Sequence, residues 1–224
     1  MTAREATLGL AVVGAVLLAG RVSGEEASAP ALRLAWLDVE GVATGIDGVA
    51  RSECRAVLER AGLDVEWRQG SGGEEARPGE VRVLLVDHLV VDPHAKLSIM
   101  GATPARSRRH PVVWIHVGSV RATLGFPPDF PILDLPLKAR RDLGVALGRV
   151  VAHEIVHVVA PQLPHGSGLM SPTLTRDTLI APRLSLETRD ATQVQAALRS
   201  TPVPTGSATA VLAASGTVDA EGTR

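Results

Sequence analysis

From Leu32 to Arg199 the chain switches between two hydrophobic rhythms, one of period two and one of period 3.6. Leu32-Arg-Leu-Ala-Trp-Leu-Asp-Val39 alternates in part and predicts a first strand. Ile46 to Gly62 carries Val49, Cys54, Val57 and Leu58 and closes on Ala61-Gly62, which predicts a helix with a glycine stop. Asp64 to Arg68 alternates again and predicts a second strand. The stretch from Gln69 to Gly79 is rich in Gly, Glu and Pro and predicts an exposed loop. Val81 to Asp87 is a short valine-rich run, the pattern of a buried strand. Val112 to Val117 predicts the next strand. Its period puts Val112, Trp114 and His116 on one face and Val113, Ile115 and Val117 on the other.

Leu137 to Ala160 is the longest helical segment. From Leu143 onward it is apolar over most of its circumference, as befits a helix buried inside a domain, and Pro161 ends it. A last helix is expected from Leu186 to about Arg199, with Val194, Ala197 and Leu198 facing inward. No internal repeat is visible. Strands and helices in this order predict one layered domain of α+β or α/β class over residues 30–200.

The two ends read differently. Met1 to Thr7 is polar and carries Arg4 and Glu5. The apolar run Leu8 to Ala19 that follows is short for a hydrocarbon core about 30 Å thick. With its small-residue flank it predicts a signal peptide over residues 1–24, with cleavage as late as Ala29 as an alternative. The expectation is an exported protein, periplasmic or secreted. An uncleaved membrane anchor is the competing reading, since Glu5 weakens the positive start. Thr201 to Arg224 is built from Pro, Gly, Ser, Thr and Ala with few large side chains, and predicts a disordered tail.

Composition narrows the function classes. The net charge of −1 provides no general basic surface, so nucleic acid is not an expected partner. The basic residues of the 104–111 stretch (Arg106, Arg108, Arg109 and His110) form at most a local basic loop. Aromatic residues are 2% and tyrosine is absent, so the core must come from Leu, Val, Ile and Ala. Cys54 is the single cysteine, which rules out an intrachain disulfide; its helix-like surroundings suggest a small buried hydrophobe.

Histidine is scarce at seven residues, yet His153, His157 and His165 fall within thirteen positions. His153 and His157 stand four apart in the long helix, so one turn places both imidazoles on one face, within reach of one zinc ion. Glu154 sits on the adjacent flank, where it can reach a water on the metal without ligating it. Chance gives this five-residue pattern in roughly one chain in a hundred of such composition. The helix context adds weight, because an unpaired buried polar group costs about 1–3 kcal/mol. The bland alternative is two core histidines bonded to backbone, with Glu154 paired to an arginine.

A catalytic zinc takes three protein ligands. His165 is the preferred third, placed just past the helix end after a turn bounded by Pro161 and Pro164; Glu187 and Asp177 are the alternatives. The expected cofactor is one zinc ion and the expected reaction is peptide-bond hydrolysis, with Glu154 as general base on a zinc-bound water. His116, His110 and Arg183 are candidate oxyanion donors, each with a structural role as the competing reading. Two rivals remain open: a catalytically inactive exported domain that binds zinc or a partner, and a three-histidine endoribonuclease. The second is opposed by the export signal, by the charge, and by seven rather than five residues between His157 and His165.

The stretch His153 to Met170 resembles the zincin metallopeptidases, and within them the metzincin-like proteins. His153, His157 and His165 match the ligands, and Glu154 matches the general base. Met170, in Gly168-Leu-Met170, looks like the methionine beneath the metal. The spacing is similar to that of small bacterial zincin-like proteins in which Gly-Leu-Met or Gly-Ile-Met follows the histidine. The chain departs from the metzincin pattern at Ala160, which stands at a glycine position, and in a third histidine two residues further on. The resemblance implies a mixed twisted sheet packed on the long active-site helix, with a small C-terminal helical part. It also implies a peptide or protein substrate lying along the sheet's edge strand, for which Val112 to Val117 is nominated.

Overall fold

The computed structural model describes residues 31–87, 100–103, 111–127 and 130–200. The N-terminal apolar run, the arginine stretch with His110, and the C-terminal tail lie outside the described residues. The predicted alternation produces strands β1 (Leu32–Leu37), β2 (Val65–Gln69), β3 (Glu80–Val86) and β5 (Val112–His116), joined by the two-residue β4 (Gly101–Ala102). Helix α1 spans Asp47–Arg60, α2 Val117–Thr123, α3 Leu137–Val159, α4 Arg176–Ile180 and α5 Thr188–Ser200. The fold is mixed α+β: a five-stranded sheet in the order β2-β1-β3-β5-β4, with helices. Neighbours among β2, β1, β3 and β5 run parallel; only β4 pairs antiparallel, with Gly101 opposite Ile115 and Ala102 opposite Trp114.

The register gives the sheet two unlike faces. Leu34, Trp36, Val81, Val83, Val113 and Ile115 share one face and are buried in the same core as α1 and α3. On the other face Arg68 of β2 reaches across β1 to Glu80 of β3. Its guanidinium donates to both carboxylate oxygens, at 2.5 and 2.7 Å. Ala35, the residue of β1 paired with Arg68, is small enough to let the pair cross. That contact holds the Glu80 carboxyl below the usual carboxylate range. Arg68 also binds Glu74, so the Gly- and Glu-rich loop, mostly exposed as expected, is tied to the sheet at one point.

Several elements differ from the sequence expectation. β1 stops at Leu37 because the Asp38 carboxylate accepts from the amides of Val42 and Ala43, at 2.7 and 2.9 Å, and turns the chain. The apolar run from Val112 does not remain extended: it becomes α2 at Val117. β5 is also not an edge. β4 lies outside it, so the edge position nominated for Val112 to Val117 belongs to Gly101–Ala102. The glycine stop of α1 is present: Gly62 sits at φ +75° and its amide bonds Glu59 O at 2.8 Å.

α3 runs through the core, and Gly144 and Gly148 let α1 cross it closely. A Cβ on Gly144 would lie 2.8 Å from Val49 Cβ, and one on Gly148 would strike the Ala50 carbonyl oxygen and stand 3.0 Å from Cys54 N. Backbone cannot yield as a side-chain tip can. Gly148→Ala is therefore expected to lower stability by about 1–2 kcal/mol, overpacking outweighing the helix-propensity gain. Urea unfolding checks this, and an unchanged midpoint contradicts so close a crossing.

Candidate metal centre

Helix α3 carries His153 and His157 one turn apart, and the chain then returns to present His165 to them. Proline at 161 ends the helix, Leu163 is buried, and its amide bonds Ala160 O at 2.9 Å, which makes the turn tight. Past His165 the Gly166 amide donates to Met170 O at 2.8 Å, closing a loop over the short 3-10 turn Gly168–Met170. His157 Nε2 lies 3.2 Å from His153 Nε2 and 3.1 Å from His165 Nε2. All three donors lie within 4.8 Å of one another. The cluster is graded in burial: His153 is buried, His157 half-buried and His165 exposed.

The donor set fits zinc. Two nitrogens each about 2.0–2.1 Å from one tetrahedral ion lie about 3.3 Å apart, close to the two contacts seen. A purely hydrogen-bonded cluster is poorly satisfied by comparison. The Leu169 carbonyl 2.7 Å from His153 Nδ1 can only accept, so the proton sits on Nδ1 and Nε2 is a bare lone pair. His157 Nε2 holds at most one proton yet faces two ring nitrogens. Protonation is resisted as well. Burial pushes the His153 pKa down. His157 is pushed down to about 4, by burial first and then by the two neighbouring imidazoles. The neutral imidazole is the metal-binding form.

Glu154 points beneath the edge strand. Only 8% of it is exposed. A Cβ on Gly101 would lie 2.5 Å from Glu154 Cγ and 2.7 Å from Oε1, so the strand can lie this close only because residue 101 has no side chain. The Thr103 hydroxyl donates to Glu154 Oε2 at 3.1 Å. Burial raises the carboxyl to about 7, with the Thr103 hydrogen bond opposing. A cation held by the adjacent imidazoles would draw it back down.

Of the other sequence candidates, Met170 is fully buried in the turn that closes the His165 loop. Glu187 does not join the imidazole cluster; its carboxylate accepts from the Ser167 hydroxyl. Asp177 is exposed in the first turn of α4, and Arg183 is exposed. His116 forms a short contact with Ser119 at the start of α2 instead of approaching the cluster. His110 lies outside the described residues. Sequence reasoning missed Gly101, Thr103 and the Leu169 carbonyl. Thr103 lies 51 positions from Glu154, and a carbonyl leaves no residue-type signal. Cys54 is buried as expected, and burial pushes its thiol up.

No family model, curated protein or solved structure matches this chain.

Proposed function

We propose that this protein is a zinc-dependent, zincin-like metallopeptidase. One observation carries the reading: three imidazole nitrogens lie within 4.8 Å of one another, with His157 at nearly the edge length of a zinc tetrahedron from each of the other two, beside a buried carboxylate under strand β4. His153, His157 and His165 would hold the ion. The mixed sheet lying on the long helix supports the zincin resemblance, as does an antiparallel edge strand against Glu154.

Zinc, when bound, polarises the scissile carbonyl and acidifies water. Glu154 accepts the proton of the attacking water and passes it to the leaving nitrogen. Thr103 fixes one oxygen of that carboxylate and leaves Oε1 for proton transfer. Among the described residues β4 is the last strand on its side of the sheet, a position that suits an extended peptide or protein substrate adding as a further strand. The N-terminal run at 8–19 supports action outside the cytoplasm.

Removal of metal with a chelator is expected to abolish hydrolysis of an unstructured protein, and one equivalent of zinc to restore it. Full activity in protein shown to be metal-free would overturn the reading.

A further inference from the structure

We propose that Glu187 is a positioning residue that steadies the loop carrying His165, one of the three histidines assigned to the metal; this rests on the zinc reading above. The segment from Leu184 to Glu187 is anchored from beneath. Leu184 and Leu186 are buried, and Arg60 donates to Leu184 O at 3.1 Å. The alternate residues, Ser185 and Glu187, both bond the loop that follows His165. Ser185 O accepts from the Leu169 amide at 3.1 Å, and the Glu187 carboxylate accepts from the Ser167 hydroxyl.

Each link leads to a ligand. Ser167 lies two residues past His165, the exposed member of the cluster. Leu169 supplies the carbonyl that orients the His153 ring. Gly168 between them sits at φ +59°, and a Cβ there would lie 2.7 Å from Ser185 O, so loop and strut are in direct contact. The Leu169 carbonyl is an outer partner of the kind that fixes ring orientation and sets metal affinity, whereas Glu187 stands one step further out, on the loop. Glu187 therefore acts on the ion through Ser167 and the loop, not as a ligand.

The test is zinc(II) affinity of the full chain, measured by competition with a chromophoric chelator. Glu187→Ala is expected to weaken zinc about 5–10-fold at unchanged stoichiometry, the scale of one hydrogen bond. Glu187→Gln keeps an acceptor for Ser167 and is expected to stay within about twofold of the parent. Ser167→Ala should match Glu187→Ala, and the double variant should fall no further, because both remove one link. The thermal midpoint of the zinc-free protein should barely move, which separates positioning from general stability. Parent-like affinity in Glu187→Ala overturns the proposal. So does a Glu187→Gln variant as weak as Glu187→Ala beside an unaffected Ser167→Ala, since the charge would then act on the ion itself. A parent chain that fails to bind zinc overturns the metal reading and this proposal together, whereas a His165→Ala variant that binds it equally well moves the third ligand elsewhere and overturns this proposal alone.

Discussion

Glu154→Gln is expected to lose roughly 10²–10⁴-fold in kcat on an unstructured protein while still holding one zinc, the usual scale for removing a general base. The substitution is conservative in shape. Glutamine fills the same space under Gly101, and its amide oxygen can still accept from Thr103. What it removes is the capacity to take a proton from water. The metal site, built from the three imidazoles, is left intact. Metal content by elemental analysis and turnover on the same sample separate the outcomes. An equally active variant would remove Glu154 from the chemistry. A parent that binds zinc tightly but hydrolyses nothing would make this a zinc-binding domain without catalysis.

Arg149→Met is expected to cost about 3–5 kcal/mol of stability, the scale of breaking a buried charge pair from one side. Arg149 is 3% exposed and stands one turn before His153. Its guanidinium donates to Glu53 Oε1 of α1 at 2.8 Å, and to the carbonyls of Leu179 and Ala181 at 2.9 and 2.7 Å. Those carbonyls belong to the end of α4, where helices leave acceptors without amide partners. One side chain thus joins three helices around the segment that carries His153 and His157. Methionine matches its length but leaves the carboxylate and the carbonyls without a donor. Against total stabilities of about 5–15 kcal/mol, such a loss is a large fraction. Denaturant unfolding of the zinc-free protein measures it, and a change below about 1 kcal/mol would mean that water replaces the guanidinium without penalty. Pairing the substitution with Glu53→Leu should return part of the loss, because the stranded charge is then gone.

The long helix and the meeting of His153 and His157 on one of its faces were legible because both rest on local rules. Period, proline and the four-residue histidine spacing are each readable within one turn. His165 was legible for a similar reason, since two prolines confine a short return. The rest depended on contacts far apart in sequence. β4 is two residues long and has no pattern of its own; it is a strand because β5 pairs with it. α2 was hidden because its seven residues, Val117–Thr123, are too few to display a helical period, so pattern alone could not mark where extension ends. The two glycines that admit α1 looked like ordinary helix positions until α1 was seen against them. Glu187 was read as a possible ligand from its type and location. Its true partner, Ser167, is a small hydroxyl that no spacing rule would single out.

The graded burial of the three imidazoles has a consequence for metal capture. Two donors sit on a rigid helix and are already aligned, so on the zinc reading the chain would act as a preformed bidentate chelator with a third arm on a tether. The seven residues between His157 and His165 are too few for the arm to wander. Closing so short a loop costs little further entropy, and the effective concentration of the arm at the ion reaches at least the millimolar range of short flexible linkers. The pinned turn should raise it further. An ion arriving from solvent meets the exposed His165 side first, and leaves by the same side once that arm lets go.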